Sequence, residues 1–167
     1  MSVTVGIPRA LLYYNYYPGW EVYFRALGAE VIVSDETTKT ILDQGVRDGV
    51  DEACLPVKLY LGHLANLRDK KVDYIFAPRV VSVEKKKYLC PKFLGLPEMA
   101  RFCVPNLPEM LDVEINVQQK YQETHKGLIK LAGRFGQGAS AARRALAEAK
   151  AAQEAYEAKL RQGYTPR

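Results

Sequence analysis

Short apolar runs recur along this chain, separated by longer stretches whose apolar residues have helical spacing. Val3 to Pro8 (VTVGIP) is a β-branched run closed by glycine and proline, the pattern of a first strand. A tyrosine-rich loop, RALLYYNYYPGW, is expected next, then a helix through WEVYFRALGA that stops at Gly28. Glu30 to Ser34 (EVIVS) reads as the second strand. Thr37 or Thr38 can cap a short amphipathic helix within DETTKTILDQGV. A third helix is predicted over Leu55 to Leu67, with Pro56 tolerated in its first turn. Lys71 to Pro78 (KVDYIFAP) is the third strand and the most apolar. A long connection, RVVSVEKKKYLCPKF, then leads to a short helix, LPEMARF. Asp112 to Val117 (DVEINV) is the candidate fourth strand.

From Gln118 the pattern changes. QQKYQETHKGLIKLAGRF has helical spacing, Gly136 to Ser140 breaks it, and Ser140 is available as the next cap. The alanine-rich segment that follows puts Leu146, Ala149, Tyr156 and Leu160 on one helical face, a narrow stripe suited to packing on the domain or on a partner. The expected organisation is an α/β domain over residues 1–117 and a helical tail over 118–167. Strands alternating with helices imply a parallel sheet of about four strands, covered on both faces, in three layers. In such a sheet the functional crevice lies outside the carboxyl ends of the strands.

Composition narrows the function. The 167 residues are 48% hydrophobic and 26% charged, as in an ordinary soluble domain. No apolar run approaches the ~20 residues needed to span a bilayer, and the N-terminus lacks a signal-peptide pattern, so a cytoplasmic protein is expected. The net charge of +5 is spread along the chain. Its densest runs, Arg68 to Lys71 and Glu84 to Lys87, lack the aromatic and glycine pattern of an RNA-binding sheet. Nucleic acid is therefore not the expected partner. The charge reads as solvated surface, or as a local pull on an anionic partner.

The candidate chemistry lies in three cysteines without C-x-x-C spacing, a count and pattern that do not suggest a disulfide framework. Cys54, in VDEACLPVKLYLGH, falls at the predicted start of the third helix, where orphan N–H groups favour a thiolate. Cys90 falls in the long connection after the third strand, on the same rim of the sheet. Cys103 follows a helix that carries the chain to the opposite rim, and so reads as structural. Any one of them alone reads most simply as a small buried hydrophobe. Two on one rim read as a site, though three irregularly spaced cysteines suit zinc poorly. Arg79 and Glu84, in the loop before Cys90, can pair across the crevice. His63 is expected on a helix face and not as a ligand.

The motifs GIPRALLYYNYYP, DEACLPVKLYLGH and YIFAPRVVSVEKKKYLCPKFLGLP resemble proteins related to activators of 2-hydroxyacyl-CoA dehydratases. These form a branch of the superfamily that contains the dehydratase subunits and the double-cubane cluster proteins. The resemblance covers Val3 to Pro97, with the helical tail fitting more loosely. It implies an oxygen-sensitive iron–sulfur protein of anaerobic metabolism, in low-potential electron transfer or reductive chemistry. Carried over, Cys54 and Cys90 would be ligands of an iron–sulfur cluster of the 4Fe–4S kind. Soft thiolate donors suit such a cluster. Lys58 and Lys92 would offset its negative charge or serve as soluble surface. Tyr13, Tyr14, Tyr16 and Tyr17 would cover the cluster or a partner surface, and Arg9 and Asn15 would supply polar contacts.

Two thiolates are half of what a cubane takes. A homodimer with facing crevices around one shared cluster is therefore expected, with the alanine-rich tail as a second contact. An activase, or a separate subunit equivalent to the second half of longer relatives, are alternative partners. Without a cluster, the same crevice and tail would make a non-catalytic scaffold that docks an activase-like protein. No P-loop pattern occurs, so the ATPase activity of a true activase is not expected.

Overall fold

The computed structural model describes residues 2–118 and 121–165, without the side chains of 121–124. The chain runs through β1 (Thr4–Ile7), α1 (Tyr13–Ala26), β2 (Glu30–Val33), α2 (Lys39–Asp48), α3 (Leu55–Asp69), β3 (Tyr74–Phe76) and β4 (Arg79–Ser82). It continues through α4 (Pro91–Leu94), α5 (Leu96–Cys103), β5 (Glu109–Leu111), β6 (Glu114–Asn116), α6 (Tyr121–Ala132), a 3₁₀ turn at Gly133–Phe135, and α7 (Ala139–Arg161).

Four strands form a parallel sheet in the order β2-β1-β3-β5. This is the expected α/β fold. Right-handed crossovers put α1 on one face and α3 and α5 on the other, because the strand order reverses direction at β1. Alternation along each strand feeds two cores. Val5, Ile7, Phe76 and Leu111 pack with α1, α6 and α7, while Ile75 and Met110 pack with α3 and α5. Gly6 lies between Val5 and Ile7 and faces α3, where Leu67 and Val72 leave a side chain almost no room. Helix α1 ends at Gly28, whose φ of +87° lets the Ala29 N–H reach back to Phe24 O at 3.1 Å.

Several elements differ from the sequence reading. The fourth strand of the sheet is Glu109–Leu111, not Asp112 to Val117. Asp112 lies just beyond it, ion-paired with Arg79 and Arg101, and Glu114–Asn116 instead pairs with β4 in a second, two-stranded parallel sheet. The segment RVVS is thus a strand and not part of a plain connection. Arg79 bonds Glu98 and Asp112, while Glu84 pairs with Lys87, so the anticipated Arg79–Glu84 pair does not form. The start of α7 has Gly138 in the capping position, and Ser140 lies inside the first turn.

The tyrosines lie within α1, not in a loop. Pro18, in the middle of this helix, has no N–H for the carbonyl of Tyr14 four residues earlier. Helix α7 fills that gap. Tyr156 Oη donates to Tyr14 O at 2.7 Å, and Gln153 Nε2 donates to Asn15 O at 2.7 Å. The buried stripe of α7 is Ala142, Ala145 and Ala149, and Leu146 is only partly buried against the same core. Small residues let α7 approach α1 closely at Gly19. That stripe is covered within the chain, while Tyr156 and Leu160 of the expected face are half-buried. Tyr156→Phe is expected to lower stability by about 1 kcal/mol in urea unfolding, the worth of one such hydrogen bond.

Candidate functional site

Both cysteines singled out from the sequence begin helices at the carboxyl end of the sheet, and both are exposed. Cys54 is extended (φ −68°, ψ 155°) and its carbonyl accepts from Val57 N at 3.0 Å and Lys58 N at 3.1 Å. Pro56 costs no bond there, since first-turn N–H groups have no helical partner. Cys90 precedes Pro91, and its carbonyl accepts from Phe93 N at 2.9 Å. Cys103 ends α5, half-buried against the second core, and a short link leads from it to the start of β5. It therefore sits at the amino end of the sheet, away from the other two.

The loops carrying Cys54 and Cys90 are joined by a lysine. Lys92 Nζ donates to Glu52 O at 3.3 Å, and each end of that bond lies two residues from a cysteine. Lys58 Nζ donates to Asp51 O at 3.2 Å in the same loop. Both predicted lysines thus hold the Cys54 loop with their charged heads.

The position of Cys54 follows from how α3 is seated. Gly45 of α2 faces Lys58 O, and Gly62 of α3 faces Ile41 O, so the two helices touch backbone to backbone. His63, one residue on, is fully buried. Its Nδ1 is 2.8 Å from Ser34 Oγ and its Nε2 is 3.0 Å from Thr37 Oγ1. Ser34 Oγ also accepts from Arg9 N at 2.8 Å. Both ring nitrogens of His63 are thus hydrogen-bonded, one to each hydroxyl. Asn66, on the same helix, and Lys70, just past its end, bond Asp35. This network ties the ends of β1 and β2 to α3. Sequence reasoning left His63 on a helix face and missed its partners, which a sequence cannot pair.

Burial, and secondarily the charge of Arg9, bring the His63 imidazole down to about 4 from an ordinary 6.5. A histidine that stays neutral in the fold but protonates in the unfolded chain makes stability depend on pH. The contribution is intact above pH 6.5 and is lost as pH falls toward 4, by about 3 kcal/mol across that window. His63→Gln is expected to flatten this part of the profile in urea unfolding at stepped pH.

Other candidates are engaged elsewhere. Arg9 pairs with Glu36 at 3.1 Å and lies 5.8 Å over the Tyr13 ring. Asn15 uses its carbonyl to hold α7. Tyr13 is buried and packs on Tyr14 and Tyr17. At the switch point between β1 and β3, Pro8, Trp20, Tyr60, Phe76 and Phe93 line an apolar cleft of about 20 Å³. That volume holds at most one water. The crevice is therefore filled by its own side chains.

Among the described residues no group of three or more cysteine, histidine or acidic side chains is placed to hold a metal ion. One chain by itself therefore does not fit a four-thiolate cluster. No helix among them is long and apolar enough to cross a membrane.

A family profile described as CoA enzyme activase uncharacterised domain (DUF2229) matches residues 4–165. The match takes in the helical tail, which the sequence motifs reached only loosely. No curated protein and no solved structure matches the chain.

Proposed function

The chain belongs to the CoA enzyme activase uncharacterised domain family, and from that membership we propose that it is a cysteine-bearing redox module of a CoA-enzyme activation system. In this reading Cys54 and Cys90 lend two thiolates to an iron–sulfur cluster, and a protein docked on the same face supplies the rest. The observation that carries it is the pair of exposed cysteines on adjoining loops, held together through Lys92 and Glu52. Exposed cysteines without a partner ligand set suit a cluster at a boundary between chains more than one inside a chain. When bound, the cluster would supply one-electron chemistry at low potential. This chain's residues would position the thiolates and, through Lys58 and Lys92, place positive charge beside them.

A second reading has its own observation. Val50, Leu55, Tyr88 and Leu94 are exposed apolar residues flanking the two cysteines, the pattern of a docking surface. On this reading the chain is a scaffold that docks an activase-like partner and holds no metal. Anaerobic purification, a visible spectrum, and iron and sulfide assays separate the two. The cluster reading expects sulfide-to-iron absorption and equal iron and acid-labile sulfide. A colourless protein that also resists reconstitution would leave the scaffold.

A further inference from the structure

Strand β5 is an edge of the parallel sheet. It pairs with β3 along one side, and no strand among the described residues pairs along the other. Leu111 O accepts from Ala77 N at 3.1 Å, and Val113 O accepts from Arg79 N at 3.0 Å. Backbone groups point alternately to the two sides of a strand, so the N–H and C=O of Met110 and Asp112 point away from β3. Among the described residues no group bonds them. Open backbone groups on a sheet edge are a ready template for another strand.

This edge is the floor of a slot of about 770 Å³. Arg101, Val104 and Leu107, from α5 and the turn after it, line one wall, while Lys130, Leu131 and Arg134, from α6 and its 3₁₀ turn, line the other. A chain laid along β5 would turn its side chains alternately to the two walls, and Val104 and Leu131 make both apolar near the floor. Phe102, which follows Arg101 on α5, is the most exposed large hydrophobic side chain among the described residues, at 87%. Helix α5 therefore offers further apolar surface to a bound partner.

Charge selects the occupant. The slot is lined by three cationic side chains and two carboxylates. Asp112 is held by Arg101 and Arg79, and Glu109 by Arg134. Lys130 is exposed and makes no bond or ion pair among the described residues. The surplus charge is thus positive and sits on the α6 wall. A second copy of this chain would bring its own β5 edge, whose carboxylates are already taken by arginines, and so would offer Lys130 nothing. We propose that β5 takes up a fifth strand from a different protein, an extended segment with apolar side chains toward both walls and an aspartate or glutamate on Lys130. Backbone bonds to Met110 and Asp112 would supply affinity, and the alternating side chains specificity.

Peptide selection on the full chain tests it. The probe is a library of random linear peptides of about ten residues, the upper length of an ordinary strand. Enriched peptides should carry an acidic residue among alternating apolar ones. In the free protein the Met110 amide should exchange its hydrogen quickly beside a protected Leu111, and the best peptide should protect Met110 as well. Lys130→Glu, at an exposed position, should keep the parental melting temperature. It should weaken the peptide about fivefold or more in fluorescence anisotropy, and changing the peptide's acid to lysine should recover the loss. N-methylation of the peptide residue that pairs with Met110 should cost more than about tenfold, because it removes a backbone donor. No enriched peptide, a peptide that leaves Met110 unprotected, or a Lys130→Glu chain that binds as the parent does would each overturn the proposal. A free chain that already protects Met110 and sediments as a dimer would overturn it too, since a second copy then covers the edge.

Discussion

Gly62→Ala is expected to destabilise the protein by about 3 kcal/mol or more, and Gly45→Ala by a similar amount. Alanine is the better helix former by ~1 kcal/mol, so propensity alone predicts the opposite sign. The packing decides against it. A methyl group on Gly62 would overlap Ile41 O, and one on Gly45 would overlap Lys58 O. Both obstacles are backbone atoms of a neighbouring helix, which cannot turn aside as a side chain can. The helices must separate, and the second core under α3 loosens with them. At this chain length the loss corresponds to a drop in melting temperature of roughly 6–12 °C. Gly133→Ala is the control, since nothing lies within 4 Å of the added atom, and it should be neutral or slightly stabilising. Thermal unfolding of the three variants side by side measures the difference.

Cys54→Ser and Cys90→Ser are each expected to abolish iron binding while leaving the fold intact. Both side chains are exposed, so the change from thiol to hydroxyl should move stability by no more than about 0.5 kcal/mol. Serine stays protonated at neutral pH and is a hard donor, so it does not replace a thiolate on iron. Cys103→Ser should keep the iron, because that residue ends α5 at the other end of the sheet. Iron and sulfide assays after reconstitution read all three. Iron lost from Cys103→Ser as fully as from the other two would mean a three-cysteine site in each chain.

The sheet was legible because β1, β2 and β3 are short β-branched or aromatic runs bounded by turn residues. The fourth strand was not. Its two apolar residues, Met110 and Leu111, lie between Glu109 and Asp112, whose charges are met by Arg134, Arg79 and Arg101 from distant parts of the chain. The tyrosine segment read as a loop because Pro18-Gly19 is a turn signal. It is helical because Tyr156, 142 residues from Tyr14, takes over the carbonyl that Pro18 leaves open. The shared end of Cys54 and Cys90 followed from strand and helix direction alone. The polar network at His63 did not, since a histidine with helical spacing looks the same whether its face is wet or buried. Gln118 gave no signal at all, since its side-chain partners lie 31 to 36 residues away.

We propose that the two cysteines of one chain are half of a ligand set completed by another protein. Native mass spectrometry of the anaerobically reconstituted protein tests it most directly, because it weighs chains and cluster together. The predicted result is a species of two chains carrying one 4Fe–4S cluster, with the single chain free of iron. A single chain carrying a whole cluster, or a dimer whose mass is that of two bare chains under conditions that load a control protein, would contradict it.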